Sequence, residues 1–167
     1  MFALTFLGPL RPAFLAHVAD RLNTEICEQT AGLFEDRGIV APAKSASTLL
    51  FLLKQGPATL AEIARTDGQS HQNLSMRLAP LEALGLVERS SDPNDNRRRP
   101  FVLTRGGVAE AKRVEAVCAE IAAAIEGMFD ELDVDVLAHL DAAREALRQR
   151  SIGARLEEPK TKRRRRS

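Results

Sequence analysis

The sequence predicts a mainly α-helical fold with one small β-hairpin, and three observations predict it. Apolar residues recur at helical spacing over long stretches near both ends of the chain. Two short helical segments meet at a glycine turn between those stretches. Two strand-like runs flank a turn-forming cluster.

Near the start, Leu15, Val18, Leu22, Ile26 and Leu33 share one helical face within residues 10–36. "DRGIVAP" breaks that helix, and Pro42 suits the first position of the next. The run "STLLFLLK" has the apolarity of a buried strand, but Pro42 to Lys54 is long enough for a helix, which Gly56-Pro57 ends. Thr59 is placed to cap "LAEIAR", with Leu60, Ile63 and Ala64 inward. "TDGQS" is a turn in which Gly68 is free to adopt the left-handed conformation. Ser70 caps the helix that follows, with Leu74, Leu78, Leu81 and Leu84 inward and Gly85 closing it.

"LVERSS" and "PFVLT" read as two strands around Pro-Asn-Asp-Asn. From Thr104, an apolar face of Val108, Ala111, Val114, Cys118, Ile121, Ile125 and Phe129 lasts about six helical turns. Asp133 is placed to cap a last helix with Val134, Leu137, Leu140 and Leu147 on one side. This order is that of a winged helix-turn-helix domain, residues 41–106, between helical arms at residues 1–40 and 107–156. The arms are expected to dimerise. No apolar residue remains from residue 157 onward, so residues 157–167 are expected to form a disordered basic tail.

Charge sharpens the reading. The net value is +1, but "KTKRRRRS" at the end holds six of the 24 basic residues; the other 18 face 23 acidic ones, a net of −5. The cations are therefore concentrated in the tail and at the hairpin, where Arg97, Arg98 and Arg99 are adjacent. Like charges side by side repel, so a folded chain keeps them where water or a polyanion solvates them. Two cysteines are too few for a disulfide framework, which suits a reducing cytoplasm. No apolar run reaches the roughly 18 residues of a membrane span. The apolar opening "MFALTFLGPL" lacks the basic start of a secretory signal.

The second helix of the pair exposes Ser70, His71, Gln72, Asn73, Ser75 and Arg77, groups that hydrogen-bond base edges or hold phosphates. A helix face kept only for solvation would also be polar, but lysine and glutamate usually dominate one, and neither occurs here before Glu82. "ATLAEIA", "LEALGLVERSSDPND" and "DPNDNRRRPFVLTRGG" together resemble the multiple-antibiotic-resistance regulator (MarR) family of bacterial transcription factors, over essentially residues 1–150. The family's wing carries Asp-x-Arg and then Leu-Thr-x-x-Gly, matched here by Asp95, Arg97, Leu103, Thr104 and Gly107.

The resemblance implies a homodimer that reads a palindromic duplex through the second helix. Arg97 would enter the minor groove, Asp95 would hold the wing in shape, and Arg98 and Arg99 would assist. Asn96 stands where family members often have arginine, and Pro80 stands where arginine is common in the recognition helix. That proline deletes a backbone bond to the residue 76 carbonyl and should kink the helix. The resemblance also implies a small aromatic effector in a cleft that Phe14, Phe34 and Phe51 could line. The same three fit a plain apolar core. Some relatives sense hydroperoxides through a cysteine with partner tyrosines; Cys27 lies in the corresponding arm, but the chain has no tyrosine, which favours a buried inert thiol.

His17, His71 and His139 lack metal-ligand spacing, so no metal is expected. No cofactor fingerprint or nucleophile-base set occurs either. The function expected is a transcriptional regulator, a repressor rather than an activator and not an enzyme. The rival is a winged-helix interaction protein whose basic wing and tail bind an acidic protein partner. The tail is either a solvated end without a role or a source of added phosphate contacts.

Overall fold

A computed structural model describes residues 4–90 and 99–157 of the chain. The expected wing tip, including Asp95, Arg97 and Arg98, lies outside the described residues, as does the basic tail from residue 158. By internal contacts the chain divides into two compact units, Met1–Ile121 and Ala122–Ser167.

The first unit opens with a 3-10 segment, Thr5–Phe14, interrupted at Gly8 (φ +50°). Sequence spacing places an α-helix from residue 10, but α1 spans Leu15–Asp36. Pro9 and Pro12 explain the later start, since neither supplies an N–H to a helical ladder. A 3-10 turn, Ala43–Ser45, leads into α2, Ala46–Gln55. The ambiguous apolar run is thus a helix, and Gly56 ends it at φ +78°.

Local signals place α3 and α4. Helix α3, Leu60–Asp67, starts in a capping box: the Thr59 hydroxyl accepts from the Glu62 N–H, and the Glu62 carboxylate accepts from the Thr59 N–H at 2.8 Å. Gly68 turns the chain at φ +65°. Helix α4, His71–Ala83, begins where the Ser70 hydroxyl accepts from the Asn73 N–H. Leu74, Leu78 and Leu81 are buried as expected, but Leu84 is 47% exposed. Ten residues beyond Leu74, it has rotated about 280° at roughly 100° per residue, off the inward stripe. The helix runs through Pro80 without ending there.

Strands β1, Val87–Arg89, and β2, Phe101–Leu103, pair antiparallel, with Val87 opposite Leu103. Phe101 also bridges Ala58, so the hairpin is tied to the segment before α3. This is the winged helix-turn-helix the sequence predicts. Its core joins Leu49 and Leu52 of α2, Ile63 of α3, the three leucines of α4, Phe101 and the inward stripe of α5.

Helix α5, Arg105–Glu131, begins in the first unit and ends in the second. The Leu-Thr-x-x-Gly motif forms the joint before it. The Thr104 hydroxyl donates to the Gly85 carbonyl at 2.7 Å and accepts from the Gly107 N–H at 3.0 Å, while the Thr104 N–H donates to the Leu86 carbonyl. Just after α1, Arg37 pairs with Glu120 of α5 at 2.8 Å, which holds the Glu120 carboxyl below its ordinary range and raises the guanidinium. Both side chains are exposed, so this pair adds little to stability.

In the second unit, α6 spans Val136–Gln149 and α7 spans Ile152–Leu156. The cap of α6 is Asp135, which accepts from the Ala138 N–H, and not Asp133, which sits at φ +53° in the preceding turn. Both aspartates precede the apolar run, and the turn needed two more residues than the sequence reading allowed. Among the described residues, no helix is long and apolar enough to cross a membrane.

Candidate nucleic-acid interface

The surface in question is built on α4. Its inward stripe is fixed by Leu74, Leu78 and Leu81, so the opposite face must point away from the core. His71, Gln72, Asn73 and Ser75 are all exposed on the first two turns, as the sequence reading expects of a groove-facing set. Ser70 is exposed too, with its hydroxyl already engaged as the cap.

Arg77 stands apart from that set. It is half-buried at the side of the helix, where its guanidinium donates to the Ser47 hydroxyl at 3.0 Å. Its carbonyl accepts from the Ser45 hydroxyl at 2.8 Å. These two bonds dock α4 against the start of α2 and fix the angle at which the polar turns are presented. Lys44 is exposed on the 3-10 turn that packs against α4, which adds a cation to the same edge.

Arg99 is exposed at the start of the returning hairpin arm. Arg89 is a residue the sequence reading missed. Its guanidinium lies 4.5 Å from the centre of the Phe101 ring and pairs with Glu82 of α4 at 3.1 Å. It therefore braces the hairpin base against α4 while neutralising the one carboxylate of that helix. The letters alone did not single it out, since Glu88 is a second charged residue in the same strand.

Angular position reveals a second omission. At about 100° per residue, Gln72, Met76 and Ala83 lie within about 30° of the direction opposite the buried leucines, and Ala79 within about 50°. Met76 is 61% exposed. The outermost stripe of α4 thus starts with an amide and continues apolar, with Asn73 and Ser75 on its flanks.

The three phenylalanines proposed for an effector cleft occupy three environments. Phe34 is buried in the core, Phe51 is half-buried against it, and Phe14 is 44% exposed. Cys27 is half-buried in α1, and its thiol sits 3.7 Å from the Asn23 amide oxygen. Burial pushes the Cys118 thiol of α5 up from its ordinary value, away from reactivity.

Comparison with known proteins agrees with this architecture. Residues 41–98 match the model of the MarR family, the family that the wing motifs resemble. A search of the curated proteins finds no match. The chain is similar to the S. aureus MepR–DNA complex, at 20% identity and TM-score 0.67, covering 80% of this chain and 98% of that one. It is also similar to the repressor CouR bound to a 23-mer DNA duplex, at 24% identity and TM-score 0.60, covering 81% and 96%. A MarR family regulator from Neisseria meningitidis gives 24% identity and TM-score 0.54 over 81% and 94%.

Proposed function

We propose that this chain, whose residues 41–98 match the MarR family model, is a sequence-specific DNA-binding transcriptional regulator that acts as a homodimeric repressor on a palindromic site. The observation that carries the reading is the exposed, amide-rich start of α4, held at a fixed angle on a basic-edged domain. A merely electrostatic partner would need no amides there. Two similar structures are of proteins bound to DNA, which supports the same reading. Residues 41–106 would be the DNA-binding domain, with the segments on either side as dimerisation arms. Of the three phenylalanines offered for a small aromatic effector, Phe34 is committed to the core, which leaves Phe14 and Phe51 as the candidates.

Selection of bound duplexes from a random pool tests the reading. A palindromic consensus that survives excess unrelated duplex is the expected result; binding that unrelated duplex abolishes would favour the acidic-partner alternative. On the selected site, Arg97→Ala should cost roughly 1–3 kcal/mol per half-site, the scale of a good groove contact. Asn73→Ala should relax sequence preference more than it weakens non-specific binding. Fluorescence anisotropy against selected and scrambled duplexes reads both effects, and parental behaviour in both variants would refute the assignment.

What the arms leave uncovered supports the dimer. In the first unit Phe6, Leu10, Leu15 and Leu22 are exposed, and in the second Leu132, Leu137, Leu140, Leu147, Ile152 and Leu156 are. Helix α6 buries none of its residues in the single chain. Apolar surface on this scale is expected to be covered by a second copy. Sedimentation equilibrium should give twice 18.3 kDa at micromolar concentration, and a stable monomer would contradict the proposal.

A further inference from the structure

We infer that Met76 is a specificity residue that recognises the C5-methyl group of thymine in the major groove, an inference that rests on the DNA-binding reading of α4. Three observations lead to it. Met76 is 61% exposed at the middle of α4, on the line opposite the buried leucines, so it projects farthest from the domain. The residues beside it on that line, Ala79 and Ala83, are exposed and short, which lets the helix backbone approach a surface closely while the methionine reaches into it. The outward face carries no free carboxylate to repel phosphates, because Glu82, at its edge, is engaged by Arg89.

Of the groups at base edges in the major groove, the thymine methyl is the apolar one that protrudes, and apolar side chains are what contact it. An amide at Gln72 followed by a thioether at Met76, one turn on, fits an adenine read by hydrogen bonds near a thymine read by its methyl. Methionine suits this role because its unbranched, polarisable chain adapts to an irregular surface. An exposed methionine also has little part in the fold, so its replacement leaves α4 intact.

The test uses the full chain and duplexes selected from a random pool, resynthesised with deoxyuridine replacing thymine one position at a time. Deoxyuridine keeps every hydrogen-bonding group and lacks only the methyl. At one symmetric pair of positions the parent should bind about fourfold more weakly per methyl removed, the scale of one buried carbon. Met76→Gln keeps the length and removes the apolar end. It should bind the thymine duplex more weakly and be indifferent to deoxyuridine at that pair, while its response elsewhere is unchanged. Parental binding that no deoxyuridine substitution weakens overturns the inference and leaves the DNA-binding reading standing. So does a Met76→Gln chain with the parent's full deoxyuridine response. A pool from which no duplex is enriched overturns the reading and the inference together.

Discussion

Replacing Gly107 by alanine should lower the melting temperature by roughly 6–12 °C, from a loss of about 3 kcal/mol. A Cβ at this position would fall 1.8 Å from the Leu86 carbonyl oxygen and 2.8 Å from its carbon. Those are backbone atoms, so no side-chain rotation relieves the overlap. The Leu86 carbonyl is also the acceptor for the Thr104 N–H, and the chain just before it pairs through Thr104 with Gly85. Moving it would therefore break the joint that ties the end of α4 to the start of α5.

The neighbouring glycine supplies the control. A Cβ on Gly106 would meet nothing closer than the Thr104 hydroxyl at 3.7 Å, an ordinary contact. Gly106→Ala should therefore be neutral or stabilising by up to about 1 kcal/mol, through a smaller loss of backbone freedom on folding. Differential scanning calorimetry at one fixed protein concentration compares the two, since a dimer's melting point depends on concentration. Equal effects of the two substitutions would mean that α5 does not approach Leu86 this closely. The glycine of the Leu-Thr-x-x-Gly motif thus has a structural cause that is independent of DNA.

The elements easiest to see in the sequence were those whose signals are local. Thr59 with Glu62, Ser70 and Gly68 each act within four residues of a helix end, so their letters alone mark the boundary. The candidate site was legible in part for the same reason: Ser70 through Ser75 follow a cap and precede buried leucines. Choosing residues by chemistry and not by angle hid Met76, which counting from Leu74, Leu78 and Leu81 would have placed outermost. The role of Arg77 as a brace against Ser47 was not visible, because its partner is 30 residues away and no pattern links the two. The same limit applies with more force to Glu110.

Glu110→Ala should destabilise the chain by about 3–5 kcal/mol, the cost of breaking a buried, hydrogen-bonded charge. Glu110 is 5% exposed and lies on the inward stripe of α5, four residues before Val114 and seven before Val117. One carboxylate oxygen accepts from the Val40 N–H at 2.6 Å and the Ala41 N–H at 3.1 Å; the other accepts from Arg113 at 2.9 Å. Arg113 in turn donates to the Arg37 and Gly38 carbonyls at 2.9 and 2.8 Å. One acid and one arginine thus complete the backbone hydrogen bonding of the turn between α1 and α2, whose groups lie outside any helix or sheet. Alanine at residue 110 orphans two amides and leaves Arg113 without its carboxylate. Arg113→Ala should cost somewhat less, about 2–3 kcal/mol: both amides keep their acceptor, but the buried carboxylate loses its counter-charge. Glu110→Gln should fall between parent and alanine: its oxygen still accepts from the amides, but its NH2 faces a guanidinium that can only donate. The double variant Glu110→Ala with Arg113→Ala should cost less than the two single losses added, since each removes part of the same network. Urea midpoints at constant m-value measure all four. Strict additivity, or a Glu110→Ala midpoint equal to the parent's, would show that the turn is held by something other than this carboxylate.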